Sequence, residues 1–157
     1  MKIKNVSVLV WSVIVCQMAG IIGAFFTSPA IPYWYAGLVK PSFNPPSWLF
    51  GPVWTLLYLL MGISLYLVWI AKRNKKRGCA LKAFGVQLGL NSLWSVIFFG
   101  LQLPWLAFGE IVILWLMIGM TIYKQLPVSK VAAYLMLPYL AWVSFASVLN
   151  LSIAWLN

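Results

Sequence analysis

The sequence predicts an all-α membrane protein: a bundle of five transmembrane helices with a long outer loop between helices one and two, all in a single domain spanning residues 1–157. Three observations predict it. The chain is 64% hydrophobic, only 8% charged, and has a mean hydropathy of +0.96, which leaves too little polar surface to cover a soluble globule. Charge-sparse stretches recur along it, and an apolar helix needs about 20 residues to cross ~30 Å of hydrocarbon, which places spans near 6–26, 48–70, 81–101, 104–123 and 131–154. With five spans, ten cations fall on one side (Lys2, Lys4, Lys72, Arg73, Lys75, Lys76, Arg77, Lys82, Lys124 and Lys130) and Lys40 alone falls on the other. Because cytoplasmic loops retain Lys and Arg, this split predicts a multi-pass protein of the cell membrane. Its N-terminus is then cytoplasmic, with the C-terminus and the 27–47 loop outside.

The first span follows two Lys, as a signal peptide would, but its apolar run is too long for one and no A-x-A site follows. After it comes WYAGLVKPSFNPPSWLFGPVW, residues 34–54, with three Trp, four Pro and one charge. Large rings that favour partial burial and prolines that hold an extended backbone read as a lid over something apolar. Ser47 suits an N-cap and Pro52 the first turn of helix two, whose inward face presents Trp54, Tyr58 and Met61. The cluster KRNKKR at 72–77 then forms a cytoplasmic loop. A net charge of +10 invites a nucleic-acid reading, but juxtamembrane cations beside an anionic leaflet explain it, and no nucleic-acid partner is expected.

Helix three carries Gln87, Asn91 and Ser95 at four-residue spacing with Trp94 and Phe98 adjoining, so one face offers amides, a hydroxyl and rings together. Gln87 and Asn91 each read either as a bond to a neighbouring helix or as a polar group offered to a ligand, the second favoured at Asn91 beside the rings. Gly85 and Gly89 make a GxxxG pair that points to a homodimer face. A very short connection, Gly100 to Pro104, leads to helix four, where Pro104 suits the first turn and Glu110 is the one acid, with Lys40 its available partner. Helix five contains Pro138, which should bend it by freeing the Tyr134 carbonyl. Beyond the bend, Trp142, Ala146, Leu149 and Ile153 share a face with Asn150 beside them. At 1.5 Å per residue, Trp54, Asn91, Trp142, Ala146 and Leu149 reach similar depths beneath the loop and should line one cleft. Trp11, Trp69, Trp105 and Trp155 read as interface residues. Cys16 and Cys79 lie far apart and are expected to be free thiols.

The chain has no His and one acid. That argues against a carboxylate or His proton relay, a general-base hydrolase and a multi-ligand metal site; no metal and no cofactor is expected. Binding by shape and ring stacking remains, and a haem held through axial His is excluded.

Three stretches, WYAGLVKPSFNPPSWLFGPVWTLLYLLMG at 34–62, NSLWSVIFF at 91–99 and PYLAWVSFASVLN at 138–150, resemble the tryptophan-rich sensory protein and translocator protein family, which includes the peripheral-type benzodiazepine receptor. The resemblance implies a five-helix bundle, commonly dimeric, that binds protoporphyrin or related tetrapyrroles and isoquinoline carboxamide drugs. It also implies light- and oxygen-dependent porphyrin degradation, with porphyrin carriage or ligand-dependent sensing as alternatives. Carried over by motif, the pocket falls on Ala24 and Tyr35, on Pro45, Pro46 and Trp48 of the lid, and on Trp54, Asn91, Trp142, Ala146 and Leu149, with Trp54 and Trp142 as the pair acting on porphyrin. Trp94 joins them from its position on helix three. Animal members carry Tyr and Arg after VLN as part of a sterol-recognition pattern; here the chain reads VLNLSIAWLN, so sterol is not an expected partner.

Overall fold

The computed structural model describes residues 5–157; Lys2 and Lys4, two of the cations used to orient the chain, lie outside them. Five helices long and apolar enough to span a membrane run α1 Val6–Tyr35, α2 Ser47–Trp69, α3 Lys75–Gly100, α4 Pro104–Gln125 and α5 Lys130–Leu156. The bundle has one basic end and one lid end. At the basic end α1, α3 and α5 begin on side-chain caps: Asn5, Asn74 and Ser129 accept from the N–H of Val8, Arg77 and Ala132 at 3.2, 2.8 and 3.3 Å. Each satisfies a donor that the first turn leaves free.

The number of spans matches the sequence reading, while several boundaries do not. Helix α1 continues to Tyr35, well past the expected end near residue 26, so half of the expected 27–47 loop is helix and the connection shrinks to residues 36–46. Pro29 and Pro32 read as loop residues, but each removes only one N–H, and the helix absorbs the loss by widening into a π-turn at Ile31–Tyr35 in which the Ala36 N–H reaches back to the Ile31 carbonyl. A second π-turn, Val96–Gly100, closes α3 with Leu101 N–H on the Val96 carbonyl at 2.8 Å. The three-residue connection that follows turns through Gln102 at φ 58°.

Ser47 is not an N-cap: it opens a 3₁₀ turn, Ser47–Leu49, whose cap position is Pro46, with no side-chain hydrogen bond. Lys75, Lys76 and Arg77 form the first turn of α3 rather than a loop. Pro104 and Pro138 both sit in first turns. Instead of bending one continuous helix, Pro138 restarts α5, which breaks at Met136 into Lys130–Leu135 and Leu137–Leu156. The break docks on α2 and α4, where the Ser64 hydroxyl donates to the Ala132 carbonyl at 2.9 Å and to Gln125 Oε1 at 3.2 Å.

Packing positions the site. Helices α1 and α2 touch backbone to backbone at Gly62, where a Cβ would lie 2.7 Å from Val13 Cα, and backbone to side chain at Gly20, where a Cβ would run into the Tyr58 ring. Beyond Gly20 the two helices splay toward the lid end, and the core there is built of rings. Trp94 stacks on Phe98 at 5.1 Å between centroids, and Trp34 and Tyr35 meet Phe98 and Phe99 within 5.4 to 6.4 Å. The two π-turns therefore face each other. The Trp94 indole N–H donates to Asn150 Oδ1 at 3.0 Å and the Asn150 amide donates to the Pro104 carbonyl at 2.9 Å, tying α3, α5 and α4 together.

Glu110 is buried with neither carboxylate oxygen hydrogen-bonded. It does not pair with Lys40, whose ammonium donates to the Ala36 and Leu38 carbonyls at 3.0 and 2.8 Å and lies 5.1 Å from the Tyr35 ring. The expected pairing fails because Lys40 caps the end of its own helix. Gln87 is fully buried, yet both its side-chain polar atoms lack a partner, so the interhelical bond expected of it is absent among the described residues. Trp11, Trp69, Trp105 and Trp155 are all exposed at the bundle surface, and Cys16 and Cys79 are free.

Candidate functional site

Where α1 and α2 splay, a cavity of about 480 Å³ opens among α1, α2, α3 and α5, lined mainly by apolar side chains. That size falls within the ~300–1,000 Å³ typical of small-molecule sites. The α1 wall is a stripe at three- and four-residue spacing, Gln17, Gly20, Ala24, Thr27 and Ile31. Trp54 and Tyr58 come from α2, Trp94, Phe98 and Phe99 from α3, and Trp142, Ala146 and Leu149 from α5. Tyr35 and Trp48 close the lid end.

Trp54 and Trp142 occupy different walls. The Trp54 ring stacks on Tyr58 at 5.5 Å and 29°, while Trp142 packs against Phe50 at 6.1 Å and Phe145 at 5.5 Å. The Trp142 indole N–H is buried and has no partner among the described residues. A buried donor left unpaired costs about 1–3 kcal/mol.

The enclosure is incomplete. The lining residues that are also exposed, Ile21, Ala24, Ser28, Ser47, Trp48, Gly51 and Thr55, all come from α1 and the start of α2. The cavity therefore opens sideways between those helices. A groove along α1 shares Ile21, Ala24 and Ser28 and runs on to Phe25 and Pro29. At the narrow edge of the opening, the Gln17 side-chain amide donates to the Thr55 carbonyl at 3.2 Å.

The lid is fastened at several points. Tyr35 donates to Asn44 Oδ1 at 2.7 Å, the Asn44 amide donates to the Pro45 carbonyl at 3.1 Å, and Phe43 meets Phe145 at 6.3 Å. From the far end of the chain, Asn157 Oδ1 accepts from the Val39 N–H and its amide donates to the Val39 carbonyl, both at 3.0 Å.

Most residues singled out in the sequence converge here: Ala24, Tyr35, Trp48, Trp54, Trp94, Trp142, Ala146 and Leu149 all line the cavity. Pro45, Pro46 and Asn91 are not among its lining residues. The prolines shape the lid above the cavity, and Asn91, only 3% exposed, sits behind Tyr58. Gly85 and Gly89 lie on an outward face of α3, where a methyl group added to either would meet nothing within 4 Å. Apart from Ala24, the α1 stripe was the part that the sequence reading missed, although its helical spacing was there to be read.

Comparison with known proteins places this architecture. The TspO/MBR family profile matches residues 12–156. The chain belongs to the TspO/MBR family. It is 47% identical to the tryptophan-rich protein TspO of Archaeoglobus fulgidus over 154 residues, covering 98% of this chain and 99% of the relative. It is 42% identical to the human translocator protein over 120 residues, 74% of this chain and 70% of that one. It is also 35% identical to the tryptophan-rich sensory protein of Cereibacter sphaeroides over 124 residues, 79% and 77% of the two chains. The stretch matching the TspO/MBR family takes in every residue lining the cavity, from Gln17 to Ile153.

Proposed function

We propose that this TspO/MBR family membrane protein binds a tetrapyrrole such as protoporphyrin in the ring-lined cavity and promotes its light- and oxygen-dependent degradation. One observation carries the reading: a laterally open apolar cavity has Trp54 and Trp142 on separate walls, the second with a buried, unpartnered N–H. A flat macrocycle seated there would have an indole near each of two sides. Light absorbed by the macrocycle supplies the energy and dioxygen is the oxidant. Trp54 and Trp142 donate electrons to the excited ring, which passes them to dioxygen, or directly to the oxygen species it generates; the indole radicals are refilled by electrons from the macrocycle as it is oxidised, so dioxygen is the one net oxidant and the ring the one net reductant. The same apolar walls suit isoquinoline carboxamides.

The test is a titration of purified protein with protoporphyrin, read by Trp quenching and followed by parallel light and dark time courses. Product that forms only in the light, and fails to form in the Trp54→Phe, Trp142→Phe double variant, supports the mechanism. Identical products from the double variant would exclude it.

A second reading, a porphyrin carrier, draws on the opening between α1 and α2, which faces the bilayer if the helices span it. With no carboxylate or His relay apparent, transport would run downhill only, and proteoliposomes without accelerated porphyrin flux would rule it out. A ligand-dependent sensor, in which the occupied lid recruits a partner, is tested by neutralising the basic 72–77 segment and measuring signalling. For either reading we orient the basic end toward the cytoplasm of the cell and the lid outward. We also assign Gly85 and Gly89 to a homodimer contact.

A further inference from the structure

Behind Trp54 lies a hydrogen-bonded trio of which only Tyr58 reaches the cavity. Tyr58 donates to Asn91 Oδ1, and the Asn91 amide donates to the Tyr139 hydroxyl at 2.9 Å. The three come from α2, α3 and α5 and are 6%, 3% and 0% exposed. Both phenols touch the same indole: Tyr58 stacks on Trp54 at 5.5 Å and 29°, and Tyr139 meets it at 6.2 Å and 65°. Trp54 is thus held on two sides by tyrosines whose hydroxyls share one amide, and its remaining side faces the cavity. Tyr58 cannot retreat toward α1, because Gly20 leaves its ring no room beyond that of a hydrogen atom.

From this geometry we infer that Asn91 is a positioning residue for Trp54, acting through Tyr58 and Tyr139. One carboxamide offers both an acceptor and a donor, so it orients two phenols at once. Removing it leaves two buried hydroxyls unpaired, and each must rotate to find a partner. The rings that bracket Trp54 turn with them. The consequence for photochemistry rests on the function proposed above, whereas the consequence for Trp54 itself does not.

The test compares Asn91→Leu, Asn91→Asp and Tyr139→Phe with the parent protein. Near-ultraviolet circular dichroism is recorded without ligand, with the Trp54→Phe protein subtracted to isolate the Trp54 signal. Asn91→Leu should abolish most of that signal, Asn91→Asp should retain it through its isosteric acid, and Tyr139→Phe, which removes one arm only, should reduce it partially. With protoporphyrin, Asn91→Leu should bind within about threefold of the parent while the light-driven rate falls about tenfold or more, and Asn91→Asp should restore the rate. An unchanged Trp54 signal in Asn91→Leu would overturn the inference, as would a tenfold loss of affinity with an unchanged rate per bound porphyrin. If the parent protein forms no photoproduct, the degradation reading fails, and the ligand-free signal still decides the role of Asn91.

Discussion

Asn157 grips Val39 by both of its backbone polar groups, the carboxamide oxygen accepting from the N–H and the amide donating to the carbonyl, each at 3.0 Å. The same amide also bonds the Ile153 carbonyl at 2.8 Å, so the end of α5 is stitched to the lid across 118 residues of sequence. These bonds are exposed, and together they contribute about 1 kcal/mol. Asn157→Ala is therefore expected to raise hydrogen exchange in residues 38–46 and to speed release of bound protoporphyrin about fivefold. Stopped-flow recovery of Trp fluorescence measures the release.

Gly62 sets how closely α1 and α2 approach. A Cβ there would sit 2.7 Å from a backbone atom, Val13 Cα, and backbone cannot step aside as a side-chain tip can. Gly62→Ala should cost about 1–3 kcal/mol through overpacking, seen as a lower Tm in detergent, with Gly51→Ala, which meets nothing within 4 Å, as the silent control.

The outward glycines behave differently. Because added methyl groups at Gly85 and Gly89 meet no atom of the protomer, Gly85→Leu with Gly89→Leu should leave the Tm of the protomer nearly unchanged while abolishing self-association. Light scattering on the detergent-solubilised protein reads the change of mass, and an unaltered dimer would move the contact to another face.

Asn150 serves two helices at once. Replacing it by Leu strands the buried Trp94 N–H and the Pro104 carbonyl, at a cost of about 1–3 kcal/mol for each group left unpaired. The expected outcome is a marked loss of thermal stability, partly recovered by Trp94→Phe in the same chain, since that removes one of the two orphans. Additive losses in the double variant would show that Trp94 and Asn150 are not coupled through their bond.

The course of the chain through the membrane was legible because it depends on composition: runs of apolar residues bounded by charge must be helices of spanning length. Trp54, Trp142, Ala146 and Leu149 were legible too, since helical phase and depth place side chains before any tertiary contact is known. What sequence reasoning missed depends on neighbours. Pro29 and Pro32 looked like loop residues, and only packing against α3 keeps their segment helical. Asn91 was legible as a buried amide that must bond to something, while nothing in its own helix reveals that Tyr58 and Tyr139 are its partners. Glu110 and Gln87 were each assigned a partner by polarity alone, and neither has it among the described residues.

The paired π-turns bear on how this protein tolerates change in length. Each turn holds one residue more than an α-helical turn, and one residue corresponds to about 100° of rotation around the axis. Deleting a single residue from Ile31–Tyr35 or Val96–Gly100 would let that helix relax to regular geometry, a mild event for its backbone. Because the extra residue is what the wide turn absorbs, its removal leaves the residues beyond it in phase. The same deletion elsewhere in α1 or α3 has no such slack: it would rotate everything between it and the lid by more than a quarter turn, swinging Tyr35, or Phe98 and Phe99, out of the ring cluster.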